Sequence, residues 1–131
     1  MRVVLWRVGR NLARAYRTAE AFGVEALELI ECTGELRGPL YSSAGRLDVV
    51  RLPGWPDLSR AVVLEPHYRT DIRSVDWSDV DRIVLGGESD TLPANLSVPY
   101  PRRCCIPTTG MARQLTVEAA LAIALYEWRR R

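Results

Sequence analysis

Three arginines near the start of the chain have the type and spacing of a polyanion-binding surface. Arg10, Arg14 and Arg17 are spaced i, i+4, i+7, so a helix over residues 10–22 places them on one face, with Asn11 beside them. Guanidinium groups form bidentate bonds to phosphate and can stabilise a negative charge that develops during a reaction. A solvated helix face paired to neighbouring acids has the same spacing, so both interpretations stay open.

Two glycines and a carboxylate follow a short apolar strand in the middle of the chain. Gly86 and Gly87 come directly after the predicted strand 82–85, and Glu88 follows them. Glycine lets a ligand approach the backbone closely, and in open α/β sheets ligands bind at the carboxyl ends of strands. The turn therefore indicates a ligand site, although an ordinary strand-end turn has the same composition. The segment has neither a dinucleotide fingerprint nor a P-loop lysine.

Three segments resemble, in order, the motifs of one protein family. They are residues 11–23, 83–93 and 106–115, and the last continues to a Leu-Tyr-Glu ending at 125–127. Together they resemble the SpoU/TrmH family of RNA 2′-O-methyltransferases, which belongs to the knotted SPOUT superfamily. The resemblance spans nearly the whole chain. The matching residues are Asn11 and Arg17 in the first motif, Gly86 and Glu88 in the second, and Ile106, Pro107, Gly110 and Leu115 in the third.

The resemblance implies a cofactor, S-adenosyl-L-methionine, and a set of site residues. Arg17 would be catalytic at the ribose 2′-hydroxyl, with Asn11 and Glu88 in support. Because arginine is a poor base at neutral pH, Arg17 is either unusually activated or stabilises the developing alkoxide and positions phosphate. Leu64 joins the cofactor set because it ends a buried strand. The cofactor-binding residues would be Leu64, Gly86, Gly87, Ile106, Gly110 and Leu115, and the RNA-binding residues Arg10, Arg14 and Arg17.

The resemblance also implies an architecture and an assembly. The fold would be an α/β knot: a parallel sheet with helices on both faces and a C-terminal trefoil knot, in which residues 106–115 thread a loop over 86–102. The 131 residues would form one minimal SpoU-like methyltransferase domain. Two copies would form a homodimer in which Arg17 completes the partner's site. The reaction would move a methyl group to a ribose 2′-hydroxyl of tRNA or rRNA without a metal.

The chain departs from the family at four polar positions. Thr91 stands where the second motif has glycine, and Gln114, Thr116 and Glu118 replace serine, asparagine and serine in the third. These changes bear on turnover more than on cofactor binding, because backbone atoms can hold the cofactor whatever the side chain. One alternative is therefore a catalytically impaired knotted protein that binds S-adenosylmethionine or RNA. Another is an unrelated nucleotide-binding α/β enzyme, which the lack of a phosphate motif disfavours.

Strands and helices alternate along the chain, which predicts a parallel α/β sheet covered on both faces. Short apolar runs predict the strands, and apolar residues at helical spacing predict the helices. Gly23 is a left-handed stop for the first helix, and apolar residues around most of the last helix predict that it is largely buried. The predicted strands are 1–6, 25–31, 47–52, 61–65, 82–85 and 103–106, the helices 10–22 and 115–130, the loops 33–43 and 96–102, with a turn at 53–56 and a turn or short helix at 75–80.

Composition predicts one soluble, cytoplasmic domain. The hydrophobic fraction of 47% and the charged fraction of 26% are those of a globular protein, and a formal net charge of +2 does not by itself indicate a nucleic-acid partner. The first apolar run is too short for a signal core or a membrane span. Cys32, Cys104 and Cys105 fit no zinc spacing and are expected to be reduced cytosolic thiols. His67, the single histidine, receives no role.

Overall fold

The structure is a computed structural model that describes residues 1–36, 47–87, 91–111 and 114–131. The strands are β1 (Arg2–Trp6), β2 (Ala26–Ile30), β3 (Asp48–Arg51), β4 (Ala61–Leu64), β5 (Thr70–Asp71), β6 (Arg82–Gly86) and β7 (Arg103–Cys105). The helices are α1 (Leu12–Ala21) and α2 (Val117–Arg130), with short 3₁₀ helices at Ile72–Ser74 and Tyr100–Arg102.

The seven strands of the described residues form one parallel sheet in the order β3-β2-β1-β6-β4-β7-β5. The predicted parallel α/β sheet is confirmed. From β1 the chain runs outward through β2 and β3, and it then returns to place β4 on the far side of β6. Such a reversal of direction leaves a crevice at the carboxyl ends of the central strands, which is where open α/β sheets bind ligands.

Alternation along β1 divides the core into two layers. Val3 and Leu5 belong to one apolar cluster, and Val4 and Trp6 to another, because successive side chains of a strand point to opposite faces. Both α-helices pack on the first of these layers. The residues they bury there are Leu12, Ala15, Tyr16 and Ala19 of α1 and Val117, Leu121, Ala124 and Leu125 of α2.

The opposite face of the sheet is covered by irregular segments. Leu58, Leu92, Leu96 and Val98 lie outside helices and strands and pack there against Val4 and its neighbours. The prediction of α-helices on both faces is therefore wrong for the described residues. The connection from β3 to β4 explains this in part, since residues 52–60 are fewer than the dozen or so that a helical crossover needs.

The last helix is less buried than its composition predicts. Ile123 and Tyr126 of α2 are 38% and 61% exposed, although ten of the fourteen residues of the helix are buried or half-buried. The prediction that this helix is largely buried therefore fails only on one face. The alanines of α2 count as apolar in the sequence pattern and so widen its apolar face, but each alanine side chain buries little area. Within the described residues, neither helix combines the length and apolar character that a membrane span requires.

The ends of the elements agree with the sequence in most places. Gly23 has a φ of 69° and ends α1 as predicted. Helix α1 begins at Leu12, so Arg10 lies in the preceding turn rather than on the helix. Strand β5 and the 3₁₀ helix after it were not predicted, because two or three residues show no periodicity. Residues 75–80 contain a turn at 78–79 and no helix, and residues 37–43 of the predicted loop 33–43 lie outside the described residues.

Candidate active site

A cleft lies at the carboxyl ends of β4 and β6, against the segment between β7 and α2. Its volume is about 560 Å³, including space open to solvent. These parts of the chain meet because parallel strands present their carboxyl ends at one edge of the sheet. The lining residues are Leu64, Glu65, Pro66, Leu85, Gly86, Gly87, Ile106, Gln114, Leu115, Val117 and Ala120.

Most of the residues predicted to bind the cofactor line this cleft. Leu64 and Gly86 end β4 and β6, and Gly87 follows directly. Ile106 and Leu115 lie on the connection from β7 to α2. The structure therefore brings together five positions that are far apart in the sequence. That they hold a cofactor stays a prediction.

The other singled-out residues of the third segment and of the helix start after it agree less well with the prediction. Gly110 is exposed and is not among the residues that line the cleft. Gln114 lines it. Thr116 is the N-cap residue of α2, but its side chain makes no capping hydrogen bond. Glu118 lies in the first helical turn, and its Oε2 atom is buried without a hydrogen-bond partner among the described residues.

Gly87 is required by a backbone contact. Its N–H donates to the Trp6 carbonyl at 2.8 Å, and a Cβ atom at this position would lie 2.2 Å from the Arg7 carbonyl oxygen. Arg7 itself has a φ of 53°, which is uncommon for a residue with a side chain. The second glycine of the turn therefore lets β6 end directly against the end of β1, whereas the sequence suggested that it admits a ligand.

Glu65 is the ionisable lining residue that sequence reasoning missed. Its side chain is 7% exposed, and its Oε1 atom accepts a hydrogen bond from the Leu92 N–H at 2.6 Å. The Nδ1 atom of His67 lies 3.5 Å from Oε2. Burial raises the pKa of the Glu65 carboxyl, while the Leu92 hydrogen bond and the His67 charge act to lower it. A carboxylate directly after a buried strand was the available signal, but it belongs to no motif.

The predicted catalytic and RNA-binding arginines lie outside the cleft lining. Arg10, Arg14 and Arg17 are exposed, and Arg17 Nη1 lies 3.6 Å from the Glu20 carboxylate. Asn11 is the N-cap residue of α1 and makes no capping hydrogen bond through its side chain. The structure thus leaves the arginines accessible on α1 and the turn before it, and does not bring them into the cleft within one chain. Glu88 lies outside the described residues.

The three cysteines are free, as predicted. Cys104 is fully buried next to the cleft, where its carbonyl accepts the Glu65 N–H at 3.1 Å. Burial raises the pKa of the Cys104 thiol to about 12, so this thiol is protonated at neutral pH. It is therefore a packing residue rather than a nucleophile.

The sheet order and the strand-end cleft are those of a ligand-binding parallel α/β protein. Comparison with known families identifies the family. The SpoU rRNA Methylase family matches residues 1–126. The chain therefore belongs to the SpoU rRNA methylase family. A tRNA (cytidine(34)-2′-O)-methyltransferase of Acidovorax sp. (strain JS42) is 32% identical to it, over 79% of this chain and 74% of the relative.

Solved structures have the same fold. One is a protein whose solved structure concerns the 2-OH methylation of C/U34 on tRNA. Its sequence is 24% identical to this chain, and the two structures superpose with a TM-score of 0.78 over 98% of this chain and 93% of that one. An rRNA methyltransferase from Sinorhizobium meliloti, solved with AdoMet bound, is 25% identical, with a TM-score of 0.74 over 98% of this chain. The chain spans about half of that second protein, 55% of its length.

Proposed function

We propose that this protein is an S-adenosylmethionine-dependent RNA ribose 2′-O-methyltransferase and that tRNA is its substrate. The observation that carries the proposal is the cleft, where Leu64, Gly86, Gly87, Ile106 and Leu115 converge in a member of the SpoU family. The relative that acts on cytidine 34 of tRNA supports the substrate class. The S. meliloti relative with AdoMet bound supports the cofactor.

The cleft fits the chemistry of that cofactor. Leu64, Leu85, Ile106 and Leu115 provide apolar walls on which an adenine can pack, and the turn at Gly86 leaves its backbone open to close approach. The bound cofactor would supply an electrophilic methyl group. The protein has to exclude water from this group, hold the ribose oxygen in line with it, and stabilise the charge that develops on that oxygen.

We propose that Arg17 carries the last of these tasks. A guanidinium is a poor general base, so Arg17 stabilises the developing alkoxide and the neighbouring phosphate and does not remove the hydroxyl proton. Asn11 and Glu88 act in support, while Arg10 and Arg14 hold the RNA backbone. Exposure of the three arginines is consistent with these roles.

We propose that two copies form the active enzyme, each giving its Arg17 to the partner's cleft. Support comes from the location of Arg17 outside the cleft of its own chain and from the exposed apolar residues Ile123 and Tyr126 on α2. The same family relationship supports a C-terminal trefoil knot through residues 106–115. Three free cysteines support a reducing cytoplasmic setting. No metal takes part in the proposed reaction.

A cofactor- or RNA-binding protein without turnover is the second candidate function. Two observations favour it. Gln114 occupies the cleft where family members have serine, and Thr116 makes no capping bond with its side chain. Neither change removes the backbone positions that hold a cofactor, so the two functions differ in transfer and not in binding.

Binding and transfer measured on the same protein separate the two functions. Isothermal titration with S-adenosylmethionine comes first, and incubation of bulk tRNA with methyl-labelled cofactor follows. The proposed enzyme binds the cofactor and transfers label to ribose. Binding without transfer supports the second function, and Gln114→Ser with Thr116→Asn should then restore transfer. Absence of cofactor binding contradicts the enzyme and the cofactor-binding form of the second function, and leaves only a protein that binds RNA.

A further inference from the structure

The cleft contains one buried charge whose function the family motifs do not assign. Among the described residues that line the cleft, Glu65 is the single ionisable one; the others are apolar residues, glycines, a proline and Gln114. Its side chain is 93% buried, since 7% of it is exposed. The charge of a buried carboxylate acts more strongly on a neighbouring ion than that of an exposed one, because burial lowers the local dielectric.

The structure holds this carboxylate in a fixed position. Oε1 accepts the Leu92 N–H at 2.6 Å, which joins the end of β4 to the segment that follows the glycine turn. The Glu65 N–H donates to the Cys104 carbonyl at 3.1 Å, which joins it to β7. The His67 ring lies on the exposed side, with Nδ1 3.5 Å from Oε2. The Glu65 carbonyl also accepts the Tyr68 N–H at 3.3 Å. All three of these hydrogen bonds are to backbone groups of other residues, so the acid is anchored independently of any ligand.

The proposed cofactor and its product differ by one charge. S-Adenosylmethionine has a sulfonium cation between its adenosine and amino-acid parts, whereas S-adenosylhomocysteine has a neutral thioether there. Because Glu65 lines the cleft, its carboxyl group is among the groups that a ligand bound there would meet. A buried carboxylate in the cleft wall stabilises the cation and has little effect on the thioether.

We propose that Glu65 makes the cleft select the cationic cofactor over the neutral product. Glu65 is then a specificity-determining residue, and its effect is to favour exchange of the spent cofactor for a new one. The inference rests on the proposed function, because it requires that this cleft binds S-adenosylmethionine.

Three ligands and two variants test the selection. S-Adenosylmethionine, S-adenosylhomocysteine and sinefungin share the adenosine and amino-acid parts, and sinefungin has an ammonium group in place of the methylated sulfur. Glu65→Gln removes the charge, while its amide oxygen can still accept the Leu92 N–H. Glu31→Gln is the matched control: it removes a carboxylate from the same sheet edge, where Glu31 accepts from the Trp6 indole at 3.1 Å and does not line the cleft.

Titration calorimetry measures each dissociation constant, with a ligand-free thermal melt to check folding. In Glu65→Gln, both cationic ligands should bind about tenfold more weakly, while S-adenosylhomocysteine stays within about twofold of its wild-type affinity. Glu31→Gln should leave all three unchanged. Equal weakening of all three ligands by Glu65→Gln overturns the proposal, since Glu65 then contacts adenosine or only shapes the cleft.

The wild-type protein provides a test that needs no variant. It should bind both cationic ligands more tightly than S-adenosylhomocysteine, and equal affinity for the three ligands overturns the selection even if Glu65→Gln does not fold. Failure of the proposed function has a different signature, because none of the three ligands then binds.

Discussion

At the residue scale, the site divides into a cleft and a separate cationic surface. Five of the predicted cofactor positions share the cleft, whereas Arg17 lies on α1 with half of its side chain exposed. A guanidinium in that position suits an RNA phosphate or a developing alkoxide and does not contact the cleft of its own chain. Mutations in the cleft should therefore change cofactor binding, whereas mutation of Arg17 should change methyl transfer.

Arg17→Ala should lower methyl transfer by on the order of 10²–10³ while leaving the affinity for S-adenosylmethionine within a few-fold. The reason is that the lost contact forms to the ribose in the transition state and not to the cofactor. Single-turnover transfer and calorimetry measure the two effects. Arg10→Ala and Arg14→Ala are the controls, which should weaken RNA binding in a salt-dependent manner. Near-normal transfer with tenfold weaker cofactor binding would mean that the role given to Arg17 is wrong.

The buried Glu65 should make stability depend on pH with a definite sign. Burial raises the pKa of this carboxyl, so between the ordinary and the raised value the folded protein holds more protons than the unfolded chain. Stability then falls as pH rises through that window. Glu65→Gln removes the titration and should gain stability relative to wild type as pH rises from about 4.5 to 7.

Urea midpoints of wild type and Glu65→Gln across this range check the prediction. Asp57→Asn is the control with the opposite sign, because the Ser59 N–H lowers the pKa of Asp57 and its contribution is lost as pH falls. Stability curves of Glu65→Gln and wild type that stay parallel at every pH would contradict the account.

At the element scale, the ends of β1 and β6 meet without space between them. A Cβ atom at Gly87 would lie 2.2 Å from the Arg7 carbonyl oxygen, and backbone cannot move aside as a flexible side chain can. Gly87→Ala should therefore destabilise the protein by roughly 1–3 kcal/mol. Gly54→Ala is the control, since nothing lies within 4 Å of its added Cβ. Equal urea midpoints for the two variants would show that the contact is not tight.

The same element scale shows what the sequence can and cannot predict. Strands such as β1 and β4 are predictable because burial on both faces leaves a continuous apolar run. Strand β5 is not, because its two residues pair with β7 alone and have no pattern of their own. The convergence of Gly86, Ile106 and Leu115 follows from motif resemblance. Glu65 requires the structure, since a glutamate after a buried strand belongs to no motif and only the fold shows that it is buried in the cleft.

At the scale of the whole molecule, the exposed apolar side chains of α2 and the location of Arg17 both favour a dimer. Sedimentation should give a mass of twice 14.8 kDa at tens of micromolar protein. Ile123→Glu should shift the equilibrium toward the monomer, because it places a charge in the proposed interface. Val50→Glu is a matched control, as Val50 is 44% exposed on the edge strand β3, away from α2. A monomeric wild-type protein would refute the dimer.

The central claim is that the cleft at the carboxyl ends of β4 and β6 is the cofactor site of an RNA methyltransferase. A crystal structure of the protein with S-adenosylhomocysteine tests it most directly. The account predicts density for the ligand in the cleft, in contact with Gly86, Ile106 and Leu115 and beside Glu65. Ordered ligand density elsewhere on the chain, with this cleft empty, would contradict it.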